Sequence, residues 1–87
     1  MSKSKSELLV IALQKTRKKL LGALIKCENT TPSISKLLKI NSKTAAHHLK
    51  ILEDNQLISG KLIVMNRTVT KLYSITEKGR DIYRQLD

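Results

Sequence analysis

The chain has 87 residues, a length that suits one small domain, and it contains no Trp, no Phe and only two Tyr. A core built from Leu and Ile indicates a compact helical domain, and the scarcity of aromatic rings argues against proteins that stack single-stranded bases. Seventeen Lys and Arg against seven Asp and Glu give a formal net charge of +10. That excess favours a polyanionic partner, although charge alone separates DNA from RNA or an anionic membrane poorly.

The sequence offers no membrane span and no secretion signal. Its N-terminal apolar run, residues 8–13, is far shorter than the roughly 20 residues of a transmembrane helix, and no small-residue cleavage site follows it. The single cysteine, Cys27, cannot form an internal disulfide, so a cytoplasmic location is expected. We expect Cys27 to be a small, partly buried apolar residue; an intersubunit disulfide or a redox role is the alternative.

The N-terminal part of the chain is predicted to be a basic disordered tail, residues 1–5, followed by one helix over residues 6–26. The tail is either solubilising or an arm along phosphates. Residues 20–25 have a one-sided apolar stripe, and Gly22 indicates close approach of a neighbouring helix. Residues 8–13 are apolar on every side, which predicts a homodimer interface. The alternative is that they cover other parts of their own chain, either the predicted β-hairpin (the wing, residues 59–75) or the last helix. The interface residues would be Leu8, Leu9, Ile11 and Ala12.

Residues 31–54 are predicted to form a helix-turn-helix. Thr31 is a suitable cap for the first helix, and Pro32 is tolerated at its first position. Residues 39–41 are too few for anything but a tight turn, in which Ile40 faces inward and Asn41 caps the second helix. The apolar face of the first helix is expected to consist of Ile34, Leu37 and Leu38.

The second helix, residues 42–54, has the most informative pattern in the chain. Ala45, Leu49 and Leu52 recur at i, i+4 and i+7 and are predicted to be its buried stripe. Small or hydrogen-bonding side chains in its first turn suit the major groove of DNA, and its lysines can reach phosphate or guanine. No acidic residue lies between Pro32 and Leu52, which again indicates an anionic partner. The predicted DNA-binding residues of this helix are Ser42, Lys43, Thr44, Ala46, His47 and Lys50.

The C-terminal part is predicted to be a wing, residues 59–75, and a closing helix, residues 76–86. Ser59 and Gly60 indicate a bend or bulge, and two strands follow, joined around Asn66. Arg67 at the tip, supported by Lys61 and Lys71, would contact phosphates or an adjacent minor groove. The alternative is a charged hairpin that contacts nothing. Thr76 is the expected helix cap, and the inward residues are Ile82 and Leu86 with Tyr83 beside them.

Two motifs resemble winged-helix transcription regulators of the ArsR and MarR type from archaea and bacteria. The run LKINSKTAAHHLKILEDNQLI, residues 38–58, resembles their recognition helix, and YSITEKG, residues 73–79, resembles the strand-to-helix signature that closes their wing. The resemblance covers roughly residues 18–86. It implies an α+β, mainly α fold: a winged helix-turn-helix with a two-stranded β wing.

Metal binding and catalysis are not expected. His47 and His48 are adjacent in a helix and therefore point about 100° apart, and no nearby Cys or carboxylate completes a ligand set. The cysteine pair of the metal-sensing relatives is absent here. The sequence shows no nucleophile with a base, no phosphate loop and no paired-carboxylate site, so we expect no enzyme activity, no cofactor and no small-molecule effector.

The expected function is sequence-specific binding of double-stranded DNA in transcription regulation. A dimeric repressor would read the major groove with helix 42–54. Two alternatives stay open: an architectural protein that coats DNA with little sequence preference, and a winged-helix module that binds an acidic protein partner.

Overall fold

The computed structural model describes residues 4–86, which form five helices and three strands. The strands make one antiparallel sheet in the order β1-β3-β2, in which β2 and β3 are the wing hairpin. The predicted winged helix-turn-helix is confirmed, with three strands instead of two. In chain order the elements are α1 Lys5–Leu13, α2 Lys15–Lys26, β1 Asn29–Thr30, α3 Thr31–Leu38, α4 Ser42–Asp54, β2 Ile58–Met65, β3 Thr68–Ile75 and α5 Glu77–Arg84.

The predicted first helix is in fact two helices. The backbone leaves the helical conformation at Gln14, with φ −56° and ψ 131°, and the Gln14 side chain accepts a hydrogen bond from the Arg17 amide at 2.9 Å. Arg17 Nε in turn donates to the carbonyl of Ile11 at 2.7 Å. The side chains of Gln14 and Arg17 thus cap the start of α2 and the end of α1. Both helix ends need such partners for their unpaired backbone groups.

Two residues of the predicted disordered tail, Ser4 and Lys5, belong to the ordered start of α1. Ser4 caps α1 by accepting a hydrogen bond from the Glu7 amide at 3.3 Å, and Lys5 already belongs to the helix. The remainder of the predicted tail, residues 1–3, lies outside the described residues, as does Asp87.

The core lies between the five helices and the base of the sheet. As predicted, Ala45, Leu49 and Leu52 are fully buried on the inner side of α4. Full burial of a Leu or Ile side chain contributes about 1.5–3 kcal/mol, so these contacts fix the orientation of α4 about its axis. The largest fully buried side chains are Leu20, Leu21, Ile34, Leu49, Leu52, Leu57 and Ile58.

Helix α3 differs in detail from the prediction. Thr30, not Thr31, is its N-cap, and its extended backbone, φ −91° and ψ 165°, also pairs with Leu72 as part of β1. A two-residue strand has no alternation that a sequence pattern could reveal. Leu37, expected inside, is 62% exposed, while Ser35 is buried and donates its hydroxyl to the Thr31 carbonyl at 2.6 Å.

The wing hairpin is regular along its whole length. The bend or bulge predicted at residues 59–60 is absent from the described chain, because Gly60 pairs with Tyr73 within a continuous β2. At the tip Asn66 and Arg67 both have positive φ, 50° and 65°. Two such residues make the tight turn whose twist matches that of the flanking strands, and Asn at the first position suits it.

Helix α5 packs against α1 and α2, and its N-terminus is hydrogen-bonded to the segment that follows α4. Thr76 is its cap, as predicted, and its hydroxyl also donates to the Leu57 carbonyl at 3.0 Å. A Cβ on Gly79 would overlap that carbonyl, so only glycine suits this position. The expected close approach at Gly22 is confirmed, since a Cβ there would lie 2.9 Å from the hydroxyl of Tyr83. No helix in the described part of the chain is long and apolar enough to cross a membrane.

Candidate nucleic-acid interface

The outward side of α4 forms a continuous exposed surface, which we call the α4 face. The helix begins at Asn41, whose side chain accepts a hydrogen bond from the Lys43 amide at 2.7 Å. Because its opposite side is buried in the core, the remaining side chains point to solvent. The α4 face comprises the exposed residues of the first part of the helix, Ser42, Lys43, Thr44, Ala46, His47 and Lys50; exposed Asp54 follows at its C-terminal end.

The α4 face is electropositive and suited to hydrogen bonding. No carboxylate occurs from Ser42 to Leu52, and the N-terminus of a helix carries a partial positive charge of its own. The hydroxyls of Ser42 and Thr44 are short, so the backbone can come close to a partner. A helix of this diameter enters the major groove of B-DNA, about 12 Å wide. The six predicted residues are therefore together on one accessible surface.

The wing brings two further predicted residues to the surface. Arg67 is exposed at the hairpin tip, and Lys61 is exposed on β2.

The sequence analysis missed an apolar patch on the wing hairpin. It lies on the same side of the hairpin as buried Ile58 and Tyr73 and extends from them toward the tip. Its members, exposed by 72%, 73% and 63%, are Leu62, Val64 and Val69.

Lys71, the third predicted residue of the wing, lies on β3 and pairs with a carboxylate of α4. Its ammonium lies 2.7 Å from a carboxylate oxygen of Glu53, at the C-terminal end of α4, and 5.5 Å from the ring centroid of Tyr73. The hydrogen bond that the Lys71 ammonium donates to Glu53 raises the pKa of Lys71. Gly60 leaves the space for this pair, since a Cβ there would lie 2.7 Å from Lys71 Cε. The contact joins the wing to α4, and the 18-residue separation gave no sequence signal for it.

The two histidines differ in environment. His47 is exposed on the α4 face, whereas His48 is half-buried, and its Nδ1 atom is buried without a hydrogen-bond partner. Burial lowers the pKa of His48, and the charges of Arg17 and His47 lower it further.

Residues 4–86 contain no group of three or more His, Cys, Asp or Glu that could hold a metal ion. Cys27, expected to be partly buried, is exposed.

The four predicted dimer residues do not form one surface. Leu8 and Ala12 belong to the core of their own chain, exposed by 4% and 0%, where α1 contacts α2 and α5. For these two residues the structure corrects the predicted assignment in favour of the intrachain alternative. Leu9 and Ile11 are half-buried. The large apolar side chains of α1 that face solvent are instead Val10, 69% exposed, and Leu13, 54% exposed.

A family model described as bacterial regulatory protein, arsR family, matches residues 14–59. The match covers just over half of the chain, from the cap of α2 to the start of the wing. The chain belongs to the ArsR family. This ArsR-family protein is therefore a DNA-binding transcription regulator of the winged-helix type, as the two sequence motifs indicated.

Solved structures share its fold. Bacillus subtilis PadR in complex with operator DNA superposes with a TM-score of 0.77 at 20% identity, over 82% of this chain and 45% of PadR. The ArsR-family protein thus spans less than half of the PadR chain. Diamide-treated YodB from B. subtilis gives a TM-score of 0.80 at 19% identity, over 93% of this chain and 83% of YodB.

A possible transcriptional regulator for arsenical resistance is also similar, with a TM-score of 0.72 at 22% identity over 90% of this chain and 77% of that one. At these identities the similarity concerns the fold. Comparison with curated protein sequences gives no match.

Proposed function

We propose that this ArsR-family protein binds duplex DNA with sequence preference by placing α4 in the major groove. The observation that carries the proposal is the α4 face: six exposed side chains with no carboxylate between Ser42 and Leu52, held outward by Ala45, Leu49 and Leu52, each 0% exposed. A helix fixed about its axis presents the same side chains at each encounter, which sequence readout requires.

The side chains of the α4 face make two kinds of contact, one with base edges and one mainly with phosphates. Ser42, Thr44 and His47 offer hydrogen bonds to base edges, and the Ala46 methyl contacts the methyl group of thymine. Lys43 and Lys50 pair with phosphates or with guanine, which gives most of the affinity and makes it salt-dependent.

The wing supplies contacts beside the major groove. Arg67 at the exposed tip and Lys61 on β2 lie along the phosphate backbone or enter the adjacent minor groove. Lys71 contributes indirectly in this proposal, because its bond to Glu53 sets the angle between the wing and α4.

The protein acts as a dimer that represses transcription by covering a promoter. Exposed Val10 and Leu13, flanked by half-buried Leu9 and Ile11, provide an apolar strip on α1 for a second copy. A two-fold dimer places two recognition helices about 34 Å apart, in successive major grooves of a palindromic site. The similarity of the fold to PadR, solved with operator DNA, supports DNA as the partner.

Selection of random duplexes on the protein, followed by sequencing, tests the proposal. We expect an enriched palindromic sequence that binds at least about 10³-fold more tightly than random duplex at the same salt concentration. Equal affinity for selected and random duplexes would instead show an architectural DNA-coating protein. A folded protein that binds no duplex at low salt would overturn DNA binding through this surface and favour an acidic protein partner.

A further inference from the structure

A groove with a volume of about 670 Å³ lies outside α2, bordered by α3 and α5. It contains no residue of α4 or of the wing, so it is separate from the proposed DNA surface. Its volume lies within the 300–1,000 Å³ that is usual for sites of small molecules.

The base of the groove is apolar and depends on a missing side chain. Gly22 and Ala23 line it from α2, Leu37 and Leu38 from α3, and Tyr83 from α5. A Cβ on Gly22 would already lie 2.9 Å from the Tyr83 hydroxyl, so glycine keeps the groove open at its middle.

Leu37 contributes exposed apolar surface to the groove. Its side chain is 62% exposed although it lies beside the groove and the neighbouring Leu38 packs on the core. An exposed apolar side chain at the edge of a concave surface offers area that a ligand can cover.

The rim of the groove is cationic. Four lysines line it from one side of α2, spread over about 16 Å: Lys15, Lys18, Lys19 and Lys26. Residues three, four and eleven positions apart lie on the same side of a helix. The described residues that line the groove include no carboxylate. Four ammonium groups without a carboxylate among the described lining residues attract an anion to this groove.

We propose that this groove binds a small amphipathic anion, with an apolar chain or ring and one carboxylate or phosphate group. The apolar part lies on Leu37, Ala23 and the Tyr83 ring, and the anionic group pairs with lysines of the rim. The inference does not depend on the proposed mode of DNA binding.

Titration calorimetry of the full chain with decanoate tests the proposal. Decyltrimethylammonium has the same chain with the opposite charge, acetate has the charge without the chain, and decyl phosphate changes the head group. We expect saturable binding of decanoate and decyl phosphate only. Binding of decyltrimethylammonium as tight as that of decanoate, or no saturable binding of either anion, overturns the proposal.

Matched variants separate the groove from general attraction to a basic protein. Lys19→Gln should weaken decanoate binding about threefold, and Leu37→Gln about tenfold, because a surface ion pair contributes less than apolar burial. Lys5→Gln and Leu62→Gln remove the same groups at exposed positions outside the groove and should leave the affinity unchanged. All four side chains are accessible, so circular dichroism should show folded protein. Equal losses in a variant and its control would contradict the proposal.

Cys27 provides an independent reporter, since its exposed thiol lines the same groove. Decanoate should slow its alkylation by iodoacetamide several-fold in the wild type and much less in Leu37→Gln. If decanoate binds but the alkylation rate does not change, the bound molecule lies elsewhere and this site is wrong.

Discussion

Two lysines near the proposed DNA surface should respond differently to removal, because only one has a carboxylate partner. Lys50 is exposed on the α4 face, whereas Lys71 is bonded to Glu53 at 2.7 Å. Within residues 4–86 that is the single pair of opposite charges within 4.0 Å. Lys50 is therefore available to neutralise a phosphate, while the charge of Lys71 is already offset. The test compares Lys50→Gln with Lys71→Gln.

The expected difference follows from counterion release. Each phosphate contact contributes about 0.9 to the slope of log affinity against log salt concentration. Between about 50 and 200 mM salt, a fourfold change, the wild type should therefore lose about 3.5-fold more affinity than Lys50→Gln. Lys71→Gln should keep nearly the wild-type slope, and its affinity should fall by a similar factor at every salt concentration, because the wing loses its attachment to α4.

Fluorescence anisotropy with a labelled selected duplex measures these slopes. Glu53→Gln serves as the converse variant: it frees the ammonium of Lys71 beside the DNA and should make the slope steeper than that of the wild type. An unchanged slope in Lys50→Gln would refute the assignment of α4 to the DNA surface. A decrease in Lys71→Gln equal to that in Lys50→Gln would refute the proposed role of the ion pair.

Three further predictions concern assembly, packing and pH. Val10→Glu should give monomers in sedimentation with an unchanged circular dichroism spectrum, whereas Leu8→Glu, at a buried position, should unfold the chain. A Val10→Glu protein that stays dimeric would exclude the exposed strip of α1 as the dimer interface. Gly79→Ala should lower the free energy of unfolding by about 2–3 kcal/mol in urea titration, because its methyl group meets the backbone carbonyl of Leu57. Gly22→Ala, whose methyl meets only the end of the Tyr83 side chain, should cost less than about 1 kcal/mol, and equal losses would contradict the packing. The lowered pKa of His48 means that the unfolded chain binds more protons at this residue near pH 6.5, so the contribution of His48 should be constant well above that pH and should reduce stability as the pH falls through it. His48→Gln should lessen this loss of stability, and an identical pH profile would contradict the assignment.

The sequence by itself determined the features that depend on neighbouring residues. The extent of α4, its Asn41 cap and its buried stripe follow from local hydrogen bonding and the 3.6-residue period, and the structure reproduces them. Asn66 at the wing tip and Thr76 as the cap of α5 are equally local. The exposed residues of the α4 face could therefore be predicted, since they are the positions of the helix that its buried stripe does not include.

Tertiary structure decided the features that join distant parts of the chain. Periodicity alone assigned Leu37 to the core, but packing of α3 left it beside a groove that needs α2 and α5 to exist. The pairing of Lys71 with Glu53 likewise depends on how the wing folds back on α4. The physical reason is that burial and ion pairing are set by which surfaces meet, and residues far apart in sequence meet only once the chain has folded.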